Sequence, residues 1–100
     1  MSATPAAVVT APAGPASVPR IANGFRLQWE PAQAAHVLRY PAGMVKMNGS
    51  AGEILARCDG QRSVAEIIAV LEQTFNASGL AGDVLAFLDM ARAQRWVAWA

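Results

Sequence analysis

The hydrophobic period of this chain changes near Asn48, and that change limits the fold more tightly than any single motif. Phe25-Arg26-Leu27-Gln28-Trp29-Glu30 alternates apolar and polar residues strictly, the period of a strand with one face buried. Pro31 stops it. Ala35-His36-Val37-Leu38-Arg39-Tyr40 is a second run rich in strand formers, closed by Pro41-Ala42-Gly43, where Pro and Gly suit a tight turn. Met44-Val45-Lys46-Met47-Asn48 is the third run. Three short runs with short connections predict an antiparallel meander.

From Ser50 onward the apolar residues recur every third or fourth position. Ser50 and Glu53 have capping-box spacing, and Ala51, Ile54, Leu55 and Cys58 share one helical face. Asp59-Gly60 is the predicted stop, with Gly as a left-handed cap. Ser63 and Glu66 form a second capping box before the stripe Val64, Ile67, Ile68, Leu71 and Phe75. A third helix is predicted from about Leu80 to Arg95, with Val84, Phe87, Leu88 and Ala91 inward and Asp83 favouring the positive end of the dipole. Trp96 to Trp99 closes the chain as a last helical turn or a short strand. The predicted class is α+β and winged helix-turn-helix-like: a three-stranded antiparallel meander followed by three helices.

Residues 1–22 read differently. They are mainly Ala, Pro, Val, Thr and Ser with Arg20 as the only charged side chain, and Pro5, Pro12, Pro15 and Pro19 interrupt every period. A disordered arm over 1–22 is expected, with the binding domain over 23–100. No basic residue precedes its apolar part, so it does not read as a signal peptide. No apolar run reaches the roughly 20 residues of a membrane span. The remaining roughly 78 residues lie near the lower limit for a self-sufficient core.

Chemistry is sparse. His36 is the only histidine and Cys58 the only cysteine, and each reads as a structural residue. The acidic residues are scattered, and no phosphate loop or zinc spacing occurs. The residues thus predict no enzyme, no cofactor and no metal. The net charge of +1 and the acidic residues on the second and third helices argue against nucleic acid and against an anionic membrane surface. A lone cysteine fits a reducing cytoplasm.

What remains is a sheet edge. As an outer strand, Met44-Val45-Lys46-Met47-Asn48 would offer unpaired backbone groups to a peptide adding as a further strand. The third helix is the candidate second wall, with Val84, Leu85 and Leu88, and with Arg92 and Arg95 placed to meet acidic groups. Leu85 and Met90 lie outside the main stripe of that helix, which suits them to the wall and equally to packing on the arm or on the C-terminal tryptophans. The same edge would serve a homodimer, which is a structural alternative without a client.

The runs Arg26 to Glu30, Val37 to Asn48, Ser50 to Leu55 and Cys58-Asp59-Gly60, with the Ser63 to Ile68 helix start, together resemble the PqqD family of pyrroloquinoline quinone biosynthesis. The resemblance covers Phe25 to the C-terminus. It implies a peptide chaperone of the recognition-element type, which binds the precursor peptide PqqA and presents it to the radical S-adenosylmethionine enzyme PqqE. The iron–sulfur chemistry then belongs to that enzyme. It also implies that the peptide lies along the third strand, Met44 to Asn48, and against the third helix. Ala42 stands where an acidic residue is expected in the turn.

Overall fold

The computed structural model describes residues 13–99. Strands β1 (Arg20–Ile21), β2 (Arg26–Glu30), β3 (Ala35–Tyr40) and β4 (Gly43–Lys46) precede helices α1 (Gly49–Ala56), α2 (Val64–Thr74) and α3 (Ala81–Ala93), and β5 (Val97–Ala98) follows. The meander is present: β2, β3 and β4 form one antiparallel sheet in that order. Its inner face packs on the helices. Leu38 from the sheet, Leu55 from α1, Ile67 from α2 and Leu88 from α3 are all fully buried in a single cluster. Each such side chain contributes about 1.5–3 kcal/mol by leaving water.

The helix starts follow from local chemistry, with one correction. At α2 the expected capping box is complete: Glu66 N–H donates to Ser63 Oγ at 3.2 Å, and Ser63 N–H donates to Glu66 Oε1 at 2.8 Å. At α1 the cap is Asn48, whose carboxamide oxygen accepts from Ala51 N–H at 2.8 Å. Ser50 lies inside the helix and donates to that same oxygen, while Glu53 pairs with Arg57 at 2.8 Å. Asn48 wins because extended backbone at the end of the third run already holds it at the helix entrance, with φ −71° and ψ 173°.

The helix ends also differ from expectation. α1 stops at Ala56, before Asp59-Gly60, although Gly60 does take a left-handed φ of +77° in the following loop. α3 stops at Ala93 rather than Arg95. Arg95 adopts φ +66°, its N–H donates to Arg92 O at 2.8 Å, and Trp96 N–H donates to Ala91 O at 2.9 Å. That is a Schellman closure with arginine in the place usually held by glycine. It turns the chain into β5, so the tail forms the short strand.

The boundary expected for the arm needs correction as well. Residues 1–12 lie outside the described residues, but 13–22 are packed. Val64 and Ala65 N–H, orphans of the first turn of α2, donate to the carbonyls of Ser17 and Pro15 at 2.8 and 3.0 Å. Pro19 is fully buried and its carbonyl accepts from Gly60 N–H at 3.0 Å. Arg20–Ile21 pairs with Val97–Ala98. Proline makes this segment cheap to order, because its φ is preset and its carbonyls are not taken by local helix or sheet.

Candidate peptide-binding groove

The phase of the β3–β4 ladder decides which backbone groups are open. Val37 opposes Lys46, Leu38 opposes Val45 and Arg39 opposes Met44, and Met47 N–H donates to His36 O at 2.9 Å. Hydrogen-bonded and non-hydrogen-bonded pairs alternate along an antiparallel ladder. Val45 and Met47 therefore bond inward to β3. Met44 and Lys46 aim their N–H and C=O groups at the open side of β4, which is the outer strand of the sheet.

A groove of about 450 Å³ opens beside that edge. Val45, Lys46, Met47 and Asn48 line one side, and Leu80, Asp83, Val84, Phe87 and Met90 of the α3 region line the other. Phe75, just past the end of α2, also lines it and is half-exposed, as is Met90. The size lies in the range of preformed ligand sites, and the lining is mainly apolar with polar groups at the rim. Lys46, Glu53 and Asp83 supply the charges, and Glu53 is already paired with Arg57.

Of the residues singled out in the sequence, the structure brings together Met47, Asn48, Val45, Lys46 and Val84. Met44 lies on the same edge, but its exposed side chain projects to the outer face of the sheet. Leu88 is fully buried in the core, and Leu85 packs partly against the core away from the groove. Arg92 lies over the Trp99 ring at 4.8 Å, and Arg95 occupies the helix stop. The arm reaches that other flank of α3, where Ala13 N–H donates to Asp89 Oδ1 at 2.8 Å. Phe87, Phe75 and Met90 thus form the groove where Leu85 and the arginines were expected. Two signals pointed to this: Met90 lies off the main apolar stripe of α3, and Phe75 extends the apolar stripe of α2 past its final turn.

The other reactive groups are structural. Burial, with Asp59 adding to it, pushes the Cys58 thiol up to about 12. Its S–H donates to Ile54 O at 3.3 Å. His36 meets Trp29 edge to face at 5.1 Å and backs directly onto Gly52 of α1. Among the described residues no group of three His, Cys, Asp or Glu side chains is arranged to hold a metal, and no helix is long and apolar enough to cross a membrane.

A family model described as Coenzyme PQQ synthesis protein D (PqqD) matches residues 35–97. The chain belongs to the PqqD family. Among its relatives is the PqqA binding protein of Pseudomonas aeruginosa strain UCBPP-PA14, 56% identical over 82 residues, which span 81% of this chain and 89% of that protein. The PqqA binding protein of Azotobacter vinelandii is 53% identical over 81 residues, 80% of this chain and 88% of the relative. The fold is similar to the solution structure of the PqqD part of Methylobacterium extorquens PqqCD, with a TM-score of 0.74 and 26% identity over 89% of this chain and 97% of that one. That protein is described as a functional, stand-alone recognition element for ribosomally synthesised and post-translationally modified peptides. Membership places this PqqD-family chain among binding proteins rather than enzymes, in PQQ biosynthesis.

Proposed function

We propose that this chain is a peptide chaperone that binds the precursor peptide PqqA along β4 and presents it to the radical S-adenosylmethionine enzyme PqqE in the cytoplasm. The observation that carries the reading is the coincidence of an open strand edge, at Met44 and Lys46, with an apolar groove directly beside it. An added strand would lie about 4.8 Å from β4 and take its backbone hydrogen bonds from those two residues. Its side chains would alternate. One set would enter the space between Val45, Phe87 and Met90, which supplies selectivity. The other would lie beside Met44 and Lys46 on the outer face, exposed to a second protein. The relatives named PqqA binding proteins support the choice of peptide.

Proline at position 46 tests the pairing. Lys46 N–H points outward, so Lys46→Pro leaves the β3–β4 ladder its donors, in keeping with the tolerance of edge strands for proline. Lys46→Ala removes the charge and keeps the N–H. PqqA affinity should fall at least tenfold for Lys46→Pro relative to Lys46→Ala, with both variants folded. Equal affinities would refute strand addition at β4. Homodimerisation through the same open edge is the second reading. Mass in solution separates the two: a tight dimer that ignores PqqA would favour it.

A further inference from the structure

The near-neutral total conceals a division of charge. Arg20, Arg26, Arg39 and Lys46 against Glu30 leave the segment before residue 49 at +3, and the helical remainder is at −2. Three of those cations share one face of the sheet. Leu27, Leu38 and Val45 are register partners on the inner face, so Arg26, Arg39, Met44 and Lys46 point to the other side. All four are exposed. Arg26 and Arg39 are direct partners across the β2–β3 ladder, and Met44 stands opposite Arg39 on β4.

Like charges placed directly opposite on neighbouring strands destabilise a sheet. A carboxylate placed across from either arginine would relieve such a pair. Here the ion pairs among the described residues are Glu53–Arg57 and Asp59–Arg62, both on the helical side. Glu30 is two positions along β2 from Gln28 and opposes Ala35, not an arginine. The face therefore keeps an unrelieved cost that a carboxylate-bearing surface would remove. Arginine forks suit carboxylates bidentately, and exposed Met44 adds an adaptable apolar contact in the same patch.

We infer that the outer face of the sheet, centred on Arg26, Arg39 and Met44, is a docking surface for an acidic patch on the enzyme that receives the peptide. This rests on the peptide-chaperone reading above and adds the surface and its chemistry. The position fits presentation. A peptide strand added to β4 extends the same sheet, and half its side chains emerge beside Met44 and Lys46, at the margin of the patch. An enzyme seated on this face would meet the peptide and the arginines together. Three cations are too few for the clustered phosphate contacts that nucleic-acid affinity needs, and the helices carry the opposite sign.

The test compares wild type with Arg26→Glu/Arg39→Glu and with the milder Arg26→Gln/Arg39→Gln, each checked by circular dichroism and thermal melting. Affinity is measured separately for PqqA and for PqqE loaded with PqqA. Charge reversal should weaken enzyme binding at least tenfold and neutralisation less, while PqqA affinity stays within twofold. The wild-type enzyme complex should weaken as salt rises, and the reversed variant should show a flatter dependence. Enzyme affinity within twofold of wild type for the reversed variant would overturn the inference. So would equal displacement of the enzyme by duplex DNA at matched charge, or a parallel loss of PqqA affinity. A wild-type chain that binds enzyme in an arginine-dependent way but does not bind PqqA would sink the groove reading and leave the docking face standing.

Discussion

Alanine at position 52 would place a methyl carbon 2.6 Å from His36 Nδ1, 3.0 Å from His36 Cβ and 3.1 Å from His36 Cγ. Two opposing effects can be weighed. Gly52 is inside α1, where alanine is favoured over glycine by about 0.8–1.0 kcal/mol. The clash is with the anchored end of the imidazole, so relief requires moving β3 or lifting α1 off the sheet. With contacts of 2.6 and 3.0 Å against anchored atoms, overpacking falls in the upper part of its usual range, about 2–3 kcal/mol, and the net loss after the helix gain should be about 1–2 kcal/mol. For a domain of this size that lowers Tm by about 5–15 °C. Urea or thermal unfolding reads the effect directly. His36→Ala in the Gly52→Ala background should recover part of the loss, because the two sites are coupled through one contact. A Gly52→Ala variant as stable as wild type, or more stable, would refute the close approach of α1 to β3. That approach also matters for function, since the first turn of α1 carries Ser50 and Ala51 to the groove.

Three further outcomes follow from local geometry. Asn48→Ala should cost about 1 kcal/mol in urea unfolding by losing the cap on Ala51 N–H, and Ser50→Ala should cost clearly less. Arg95→Gly should raise stability by about 0.5–1 kcal/mol, because glycine occupies the left-handed position without strain; an unchanged or lower Tm would contradict the Schellman closure. The folded Cys58 thiol should resist iodoacetamide at pH 8 and react once the chain is unfolded. Its pKa rises from 9.0 to about 12 on folding, so the unfolded chain holds fewer protons between those values. The thiol's contribution is constant below about pH 9 and should then lower stability by up to about 1.4 kcal/mol per pH unit as pH climbs toward 12. A flat alkaline profile in unfolding experiments would contradict the burial.

The meander and α2 were legible because their signals are local. Strict alternation over Phe25 to Glu30 admits one arrangement of faces, and the Ser63–Glu66 box names its own helix start. The cap of α1 was misplaced at Ser50, because capping-box spacing is a local signal and the choice of Asn48 depends on where β4 ends. The β1–β5 pair was hidden: two residues per strand carry no period, and proline in the arm reads as disorder until carbonyl acceptors are needed at α2. The groove was legible on its β4 side, and on α3 through Val84 and the off-stripe Met90. Periodicity reports which residues of α3 are apolar, but whether Leu85 or Met90 fronts the strand depends on how the helix is rotated against α2 and β5. Arg95 was read as a ligand-facing charge because arginine is an unusual residue for a helix stop.

The most direct measurement is an amide-resolved titration of labelled protein with PqqA peptide. Strand addition at β4 predicts that the amides of Met44 to Asn48 shift together with those of Val84, Phe87 and Met90, and that the Leu85 and Arg92 flank of α3 moves less. Shifts that miss Met44 to Asn48, or that fall on the Leu85 and Arg92 flank instead, would contradict the groove as the peptide site.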